Sequence, residues 1–292
     1  MPAGVHEASL PSGVEGVVTR TVRDTAAIHD EIHHKPLGTG FMPYPSVQPL
    51  LPELAGAARK FRIALNTGNW SRNNNVPAQL IERTQQVASW LEANGHSVEL
   101  VDDSAICNFA ALFEAYKVGN WIAPLGNVIP QMAEALGVVL TPENTSHQTL
   151  QLIELSKTIS YADVAAAMDT NVMVTRQWGQ FWEQGFDLLL TPTMADLCPP
   201  VNSEKYALGS PLKFEQFFDH AMDLCRYAMP ANETGLPAIS LPAGLDSNGC
   251  PMGVQFYAPW NQEQDLIHIA GQMEQGTPSW FNCLAPLNVG SL

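Results

Sequence analysis

The sequence predicts an α/β fold, and three observations carry that reading. A strand, a helix and a second strand follow one another within residues 61–101, a spacing that forces a crossover and hence parallel pairing. A short apolar strand at 187–191 is stopped by Pro192, as expected of a strand covered on both faces. Two further strands, 238–241 and 252–257, flank the turn-rich Asp246-Ser247-Asn248-Gly249 and form either a hairpin or neighbouring strands.

The elements follow in chain order. Thr21, with Asp24 three residues later, starts a helix within 18–34, because the two side chains can satisfy first-turn amides reciprocally. The prolines from Pro36 to Pro52 fix φ and remove donors, so 36–52 is a loop. Residues 61–65 are a buried strand. Residues 77–93 are a helix with Leu80, Ile81, Val87, Ala88 and Leu91 as its apolar side, and 97–101 are the next strand after the Asn94-Gly95 stop. From 105 to 132 the pattern is helical but broken by Pro124 and Pro130, and 149–159 is helical again. Ser160 with Asp163 caps a long helix reaching towards Glu183, 213–229 is one more helix, and 262–275 closes the chain.

Composition narrows the function classes. With 46% hydrophobic and 15% charged residues the chain is globular rather than disordered. Its net charge of −15 repels phosphate backbones, so neither nucleic acid nor an anionic membrane is an expected partner. The N-terminal MPAGVHEASLPSG has no basic and no apolar signal region, and no stretch reaches the length of a membrane span, which predicts a cytoplasmic protein. The five cysteines, Cys107, Cys198, Cys225, Cys250 and Cys283, are scattered without a Cys-x-x-Cys pair, arguing for reduced thiols over disulfides or zinc.

Three stretches together resemble the amidase signature family. Glu15-Gly16-Val17-Val18-Thr19-Arg20-Thr21-Val22-Arg23-Asp24 is similar to its Gly-x-x-(Ser/Thr/Ala)-Arg-(Ser/Thr)-Val-x-Asp segment. Phe186-Asp187-Leu188-Leu189-Leu190-Thr191-Pro192-Thr193 is similar to its Asp-x-Leu-Leu-Thr-Pro-Thr strand end. The segment from Asn232-Glu233-Thr234-Gly235-Leu236-Pro237 through Gly244, continuing from Gly249 to Gln255, resembles its C-terminal core. The resemblance implies a mixed, largely parallel β-sheet layered with α-helices, incomplete on its N-terminal side, with residues 1–292 forming the C-terminal portion of a single domain. It implies hydrolysis of carboxamide or oligoamide C–N bonds through a serine acyl-enzyme, with no metal and no organic cofactor. Within the motifs, glycines and prolines at strand boundaries have scaffold roles.

Amide hydrolysis needs an activated nucleophile, a proton shuttle and oxyanion donors. In the family these are a serine, a second serine in a cis peptide, and a lysine, with a Gly/Ser-rich loop, all upstream of the first motif. Only fourteen residues precede Glu15 here, with no lysine and no Gly-Ser run, so no catalytic residue is assigned and the chain is expected to be inactive alone. An alternative is a noncatalytic binding or regulatory half paired with a complementing N-terminal chain or a second copy. A subunit resembling the A subunit of an amidotransferase is another, against which the negative charge counts.

Other candidates have weaker claims. Ser210-Pro211-Leu212-Lys213 has serine-lysine spacing, yet reads as an N-cap followed by a first-turn proline, and neither companion motif nor a Gly-x-Ser-x-Gly elbow occurs. His29, His33 and His34 have metal-ligand spacing but no acidic or cysteine partner in sequence. Asp219, His220 and Asp223 read as an exposed helix face. Cys107 reads as a buried thiol. Trp178 and Trp182, spaced i, i+4, read as core. Core packing is also the plain reading of Tyr116 and Trp121, while the family's architecture implies that they line the acyl or leaving-group side of a small-molecule amide pocket.

Overall fold

The computed structural model describes residues 16–32, 48–56, 58–201 and 203–281. Five strands, β1 (Arg62–Leu65), β2 (Ser97–Leu100), β3 (Leu188–Pro192), β4 (Ala238–Leu245) and β5 (Pro251–Tyr257), form one sheet in the order β2-β1-β3-β5-β4. β1 runs parallel to both neighbours, Ile63 lying opposite Val98 on one side and Leu188 on the other. β5 is antiparallel to β3 and to β4. The result is the expected mixed sheet, parallel at its centre, with the last two strands added as a hairpin. Pro242 sits in β4, a strand paired on one side only among the described residues, where the missing N–H disrupts no inner ladder.

Alternation along the strands divides the core. Ile63, Leu65, Leu188, Leu190, Val254 and Phe256 point to one face, where they meet α1 (Val22–Ile32), α2 (Ala78–Ala93) and α9 (Glu263–Gly276). Ala64, Leu189 and Tyr257 point to the other. That face is covered by α3 (Phe109–Tyr116), α4 (Ala123–Ala135), α5 (His147–Ser156), α6 (Tyr161–Trp182), α7 (Phe214–Cys225) and α8 (Met229–Thr234). A last short helix, α10 (Pro278–Phe281), follows α9. No helix among the described residues is long and apolar enough to cross a membrane.

Local signals explain most boundaries. Thr21 Oγ1 accepts from Asp24 N at 3.0 Å, starting α1. Ser160 and Asp163 form a complete capping box on α6, with Asp163 N donating to Ser160 Oγ and Ser160 N donating to Asp163 Oδ2. The Pro-rich stretch lies mostly outside the described residues. Its end returns as a tight turn at Leu51–Ala55, with Leu50 N and Leu51 N donating to the Asp30 carboxylate.

Three expectations are corrected. The break in the 105–132 helix falls at a π-turn over Lys117–Ile122; α4 continues directly from it, with Pro124 near its start and Pro130 inside it. The helix expected at 213–229 ends at Cys225 and restarts as α8, with Pro230 in the new first turn. Ser210 does not cap α7: that helix starts at Phe214, with Lys213 in the capping position and Gln216 Oε1 accepting from Lys213 N.

Candidate functional site

The second and third motifs converge at the β3–β5–β4 join. Thr193 follows β3 and its N donates to Gly253 O at 3.0 Å, extending the ladder beyond Pro192. Its hydroxyl then meets that of Ser240 on β4 at 2.7 Å. A Cβ on Gly253 would lie 2.8 Å from Thr193 Oγ1, so only glycine leaves room for this crossing. At the other end of the motif, Asp187 accepts from Arg62 N at 2.8 Å and from Arg59 Nη2 at 3.1 Å. Asp187 is thus a joint between β1 and β3.

A second constellation lies on the aromatic face. The π-turn widens the backbone between α3 and α4, an arrangement frequent at functional sites. It presents buried Asn120, whose Nδ2 donates to Glu233 Oε2 on α8. Burial pushes the Glu233 carboxyl up to about 7, with the Asn120 hydrogen bond acting the other way. Behind Glu233, α8 ends at Gly235, whose φ of +70° lets its N donate to Ala231 O at 2.9 Å. Trp260 Nε1 closes the same end on Thr234 O at 2.9 Å. Asn120 did not stand out from sequence, and Glu233 was read only as part of the third motif, with no role of its own. The available signal was one carboxylate in a segment otherwise poor in charge, between Met229 and Leu236.

The two expected pocket residues lie near Asn120 in the chain, Trp121 directly after it and Tyr116 at the end of α3. Trp121 is half-buried, with its ring 5.2 Å from Phe218 and 6.5 Å from Phe214. Tyr116 is half-buried at the end of α3 and packs against the same core. An open recess of about 550 Å³ lies elsewhere, bordered by Ser71, Asp103, Asn108, Gln177 and Gln180, and neither Tyr116 nor Trp121 lines it.

The remaining candidates separate. Ser210 is buried and its hydroxyl accepts from Gln148 Nε2 at 3.2 Å, whereas Lys213 is exposed at the start of α7; the serine-lysine pair is not assembled. Burial pushes the Cys107 thiol well above its ordinary range, leaving it a poor nucleophile. Of the expected exposed helix face, Asp219 is exposed, His220 is half-buried and Asp223 is buried. Arg72 Nε donates to Asp223 at 2.8 Å and its Nη2 to Asp219 at 3.1 Å, tying α7 to the loop after β1. Trp178 and Trp182 are buried core, 6.2 Å apart. His33 and His34 lie outside the described residues, and among those described no cluster of three or more metal-ligating side chains occurs.

Comparison with known proteins gives this arrangement a family. Residues 3–267 match the amidase family profile. The chain belongs to the amidase family. Among amidases, it is 27% identical to the 6-aminohexanoate-cyclic-dimer hydrolase of Paenarthrobacter ureafaciens over 90% of this chain and 54% of that protein. It is 30% identical to the putative amidase AmiC of Mycobacterium leprae over 92% of this chain and 54% of that one. A solved structure of 6-aminohexanoate cyclic dimer hydrolase superposes with a TM-score of 0.76 at 26% identity, covering 89% of this chain and 54% of the other. The chain therefore spans about half the length of the amidases it matches.

Proposed function

We propose that residues 1–292 are the C-terminal portion of a single amidase domain that hydrolyses carboxamide or oligoamide C–N bonds through a serine acyl-enzyme. The lysine and two serines come from the part of the domain that the longer relatives carry in addition. The observation that carries this reading is the 54% coverage of the cyclic-dimer hydrolase, joined to the failure of Ser210, Lys213 and Cys107 to form a substitute site. In this reading the present chain supplies one wall of the amide pocket, with Tyr116 and Trp121 on the acyl or leaving-group side, and works in the cytoplasm without metal or organic cofactor.

The outer side of β4, which pairs with no strand among the described residues, supports a place for the remainder. There its N–H and C=O groups offer a strand-pairing template, beside the Thr193–Ser240 hydroxyl pair. The same edge accepts the remainder whether it is covalently continuous or arrives as a complementing chain. The isolated chain is accordingly expected to self-associate.

The test is ammonia or amine release from a panel of carboxamides and short oligoamides. The 292-residue chain is compared with a version lengthened by its upstream coding sequence. Activity confined to the lengthened protein supports the proposal; activity of the short chain overturns it. In the lengthened protein, Trp121→Ala should change substrate preference more than the thermal midpoint. Unchanged preference with a large loss of stability would return Trp121 to the core.

A further inference from the structure

We propose that the recess at the carboxyl ends of β1 and β2 binds the free amino end of a short peptide. β1 and β2 are adjacent and parallel. The chain leaves β1 for α2 on one face of the sheet and leaves β2 for α3 on the other. Connections that part to opposite faces open a crevice beyond the strand ends, which is where open α/β sheets take their ligands. The recess of about 550 Å³ lies in that crevice: Ser71 comes from the loop after β1, Asp103, Ser104 and Asn108 from the segment after β2, and Gln177 and Gln180 from α6. Its volume is that of an ordinary small-ligand pocket.

The loop after β1 is built around the Asp103 carboxylate. Asp103 Oδ1 accepts from Asn66 Nδ2 at 2.9 Å and Oδ2 accepts from Trp70 N at 2.8 Å. A Cβ on Gly68 would lie 1.8 Å from Asp103 Oδ1, so the carboxylate fits against this turn because residue 68 is glycine. Trp70 and Ser71 both take positive φ angles, an uncommon conformation for residues with a side chain. It brings Trp70 N onto the carboxylate and Ser71 to the border of the recess. Tyr227 Oη donates to Gly68 O at 2.6 Å and Arg226 Nη1 to Asn69 O at 2.9 Å, fixing the loop from the junction of α7 and α8. The carboxylate is thus held in place by groups other than a ligand.

The lining selects the ligand. Among the described residues bordering the recess, Asp103 is the one with a charged side chain. The arginine of the same loop is engaged elsewhere, Arg72 donating to Asp219 and Asp223. Each carboxylate oxygen has taken one neutral donor and retains acceptor capacity, so the site favours a cation with several N–H donors, as an ammonium has. Beside it Gln177, Gln180 and Gln184, spaced i, i+3, i+7, place three carboxamides along the end of α6. Gln177 Oε1 accepts from Asn108 N at 2.9 Å, which ties this row to the start of α3. A carboxamide donates and accepts, matching peptide groups that do the same, while Phe109 and Phe181 give the wall its apolar part. An amine followed by amide groups uses all three features. Binding here is independent of where the hydrolytic serine and lysine reside.

The experiment is isothermal titration calorimetry of the full chain at about pH 6.5, below the ordinary range of a terminal amine. It compares glycylglycinamide with its N-acetyl derivative, which keeps the amide groups and lacks the ammonium. The amine should bind, and acetylation should weaken binding about tenfold, as expected for loss of a charge-assisted hydrogen bond. Gln180 is exposed, so its substitutions should leave the thermal midpoint unchanged. Gln180→Glu should tighten the amine about threefold and Gln180→Lys weaken it about threefold. Asp103→Asn should remove the preference for the amine over the acetyl derivative; if that variant fails to fold, the two Gln180 variants decide. Equal affinity for the two probes, no binding of glycylglycinamide, or an affinity indifferent to both Gln180 variants would overturn the proposal.

Discussion

The two faces of the sheet are built on different principles. The face under α1, α2 and α9 is filled by small, interchangeable aliphatic groups such as Val22, Ile63, Leu65, Val87, Leu188, Leu190 and Ile269. The opposite face is aromatic and polar at once. Trp70 stacks on Phe109 at 4.2 Å and meets Tyr227 edge-on at 4.9 Å, while Trp178 stacks on Tyr257 at 5.4 Å. Threaded among these rings are buried Asn66, Arg226 and Gln255. The first face holds the sheet mainly by apolar area, with Phe61 and Phe256 among its aliphatic groups and buried polar contacts such as Phe61 N to His96 Nδ1 at its margin. The second fixes loop conformations by directed hydrogen bonds, and it is the face that carries the π-turn and Glu233. Asn120 and Glu233 thus lie where positions are set by geometry as well as by volume.

The comparison breaks first at Arg226. Its buried guanidinium donates from Nε to Asp223 O at 3.1 Å and from Nη1 to Asn69 O at 2.9 Å and Asn74 O at 3.2 Å, with Nη2 on Asn74 Oδ1. These bonds hold the loop in which Trp70 and Ser71 take positive φ angles of 47° and 61°. Arg226→Ala leaves several acceptors without donors and should cost about 3–5 kcal/mol in urea unfolding. Arg226→Lys should recover little, because an ammonium cannot reproduce the planar fork. Full rescue by lysine would show that charge alone matters here.

Trp178→Ala comes next. Trp178 is fully buried and its ring lies 6.4 Å from Trp70, 6.3 Å from Phe109 and 6.1 Å from Phe181. Removing it leaves a cavity that rigid rings cannot collapse into, at a cost of about 3–5 kcal/mol by the same measurement. A cost near 1 kcal/mol would mean that the aromatic layer repacks as freely as an aliphatic one.

Glu233 tests the polar side of the contrast through pH. Its carboxyl titrates at about 7 when folded and at an ordinary 4.5 when not. The folded state therefore holds the proton more tightly. This stabilisation is complete below 4.5 and is lost as pH rises towards 7, with a slope of at most about 1.4 kcal/mol per pH unit. Glu233→Gln, which keeps a neutral partner for Asn120, should flatten that slope. His96 contributes the opposite trend. Burial lowers its pKa, with Lys60 adding to the effect, and its Nδ1 accepts from Phe61 N at 3.2 Å. Protonation thus disfavours the fold as pH drops below the ordinary 6.5. Subtracting variant from wild type cancels that contribution, and an unchanged slope would remove Glu233 as the titrating group.

What the sequence disclosed follows the same division. Elements governed by local chemistry were legible: the Ser160/Asp163 box, the apolar strand before Thr193, the βαβ unit and the closing hairpin, although Pro192 does not stop its strand but lies within it, paired with Val254. The amidase motifs also marked where β3, β4 and β5 meet. The π-turn was not legible, because one extra residue in a helical ladder leaves the apolar period nearly intact while the prolines nearby draw attention to the wrong place. The Arg226 break was hidden for a related reason. An arginine at the end of a helix usually reads as solvated, and only the tertiary fold shows carbonyl groups of the Asn69–Asn74 loop surrounding it. Asp223 was misread likewise: it is buried on Arg72, about 150 positions away, while Asp219 beside it is exposed as expected.

The smallest expected effect is the sharpest control on the whole contrast. Ile63 is fully buried at the centre of β1 on the aliphatic face. Ile63→Val removes one methyl group from a layer of flexible neighbours, including Leu65, Val87 and Leu188, and preserves the β-branched shape that suits a strand. The loss should be about 0.5–1.5 kcal/mol with an unchanged denaturant slope. Because no hydrogen-bonded loop depends on this side chain, its effect should add to that of Arg226→Ala in the double variant. Strong coupling between the two would mean that the faces communicate through the sheet, and that the aliphatic side helps to position the residues of the other.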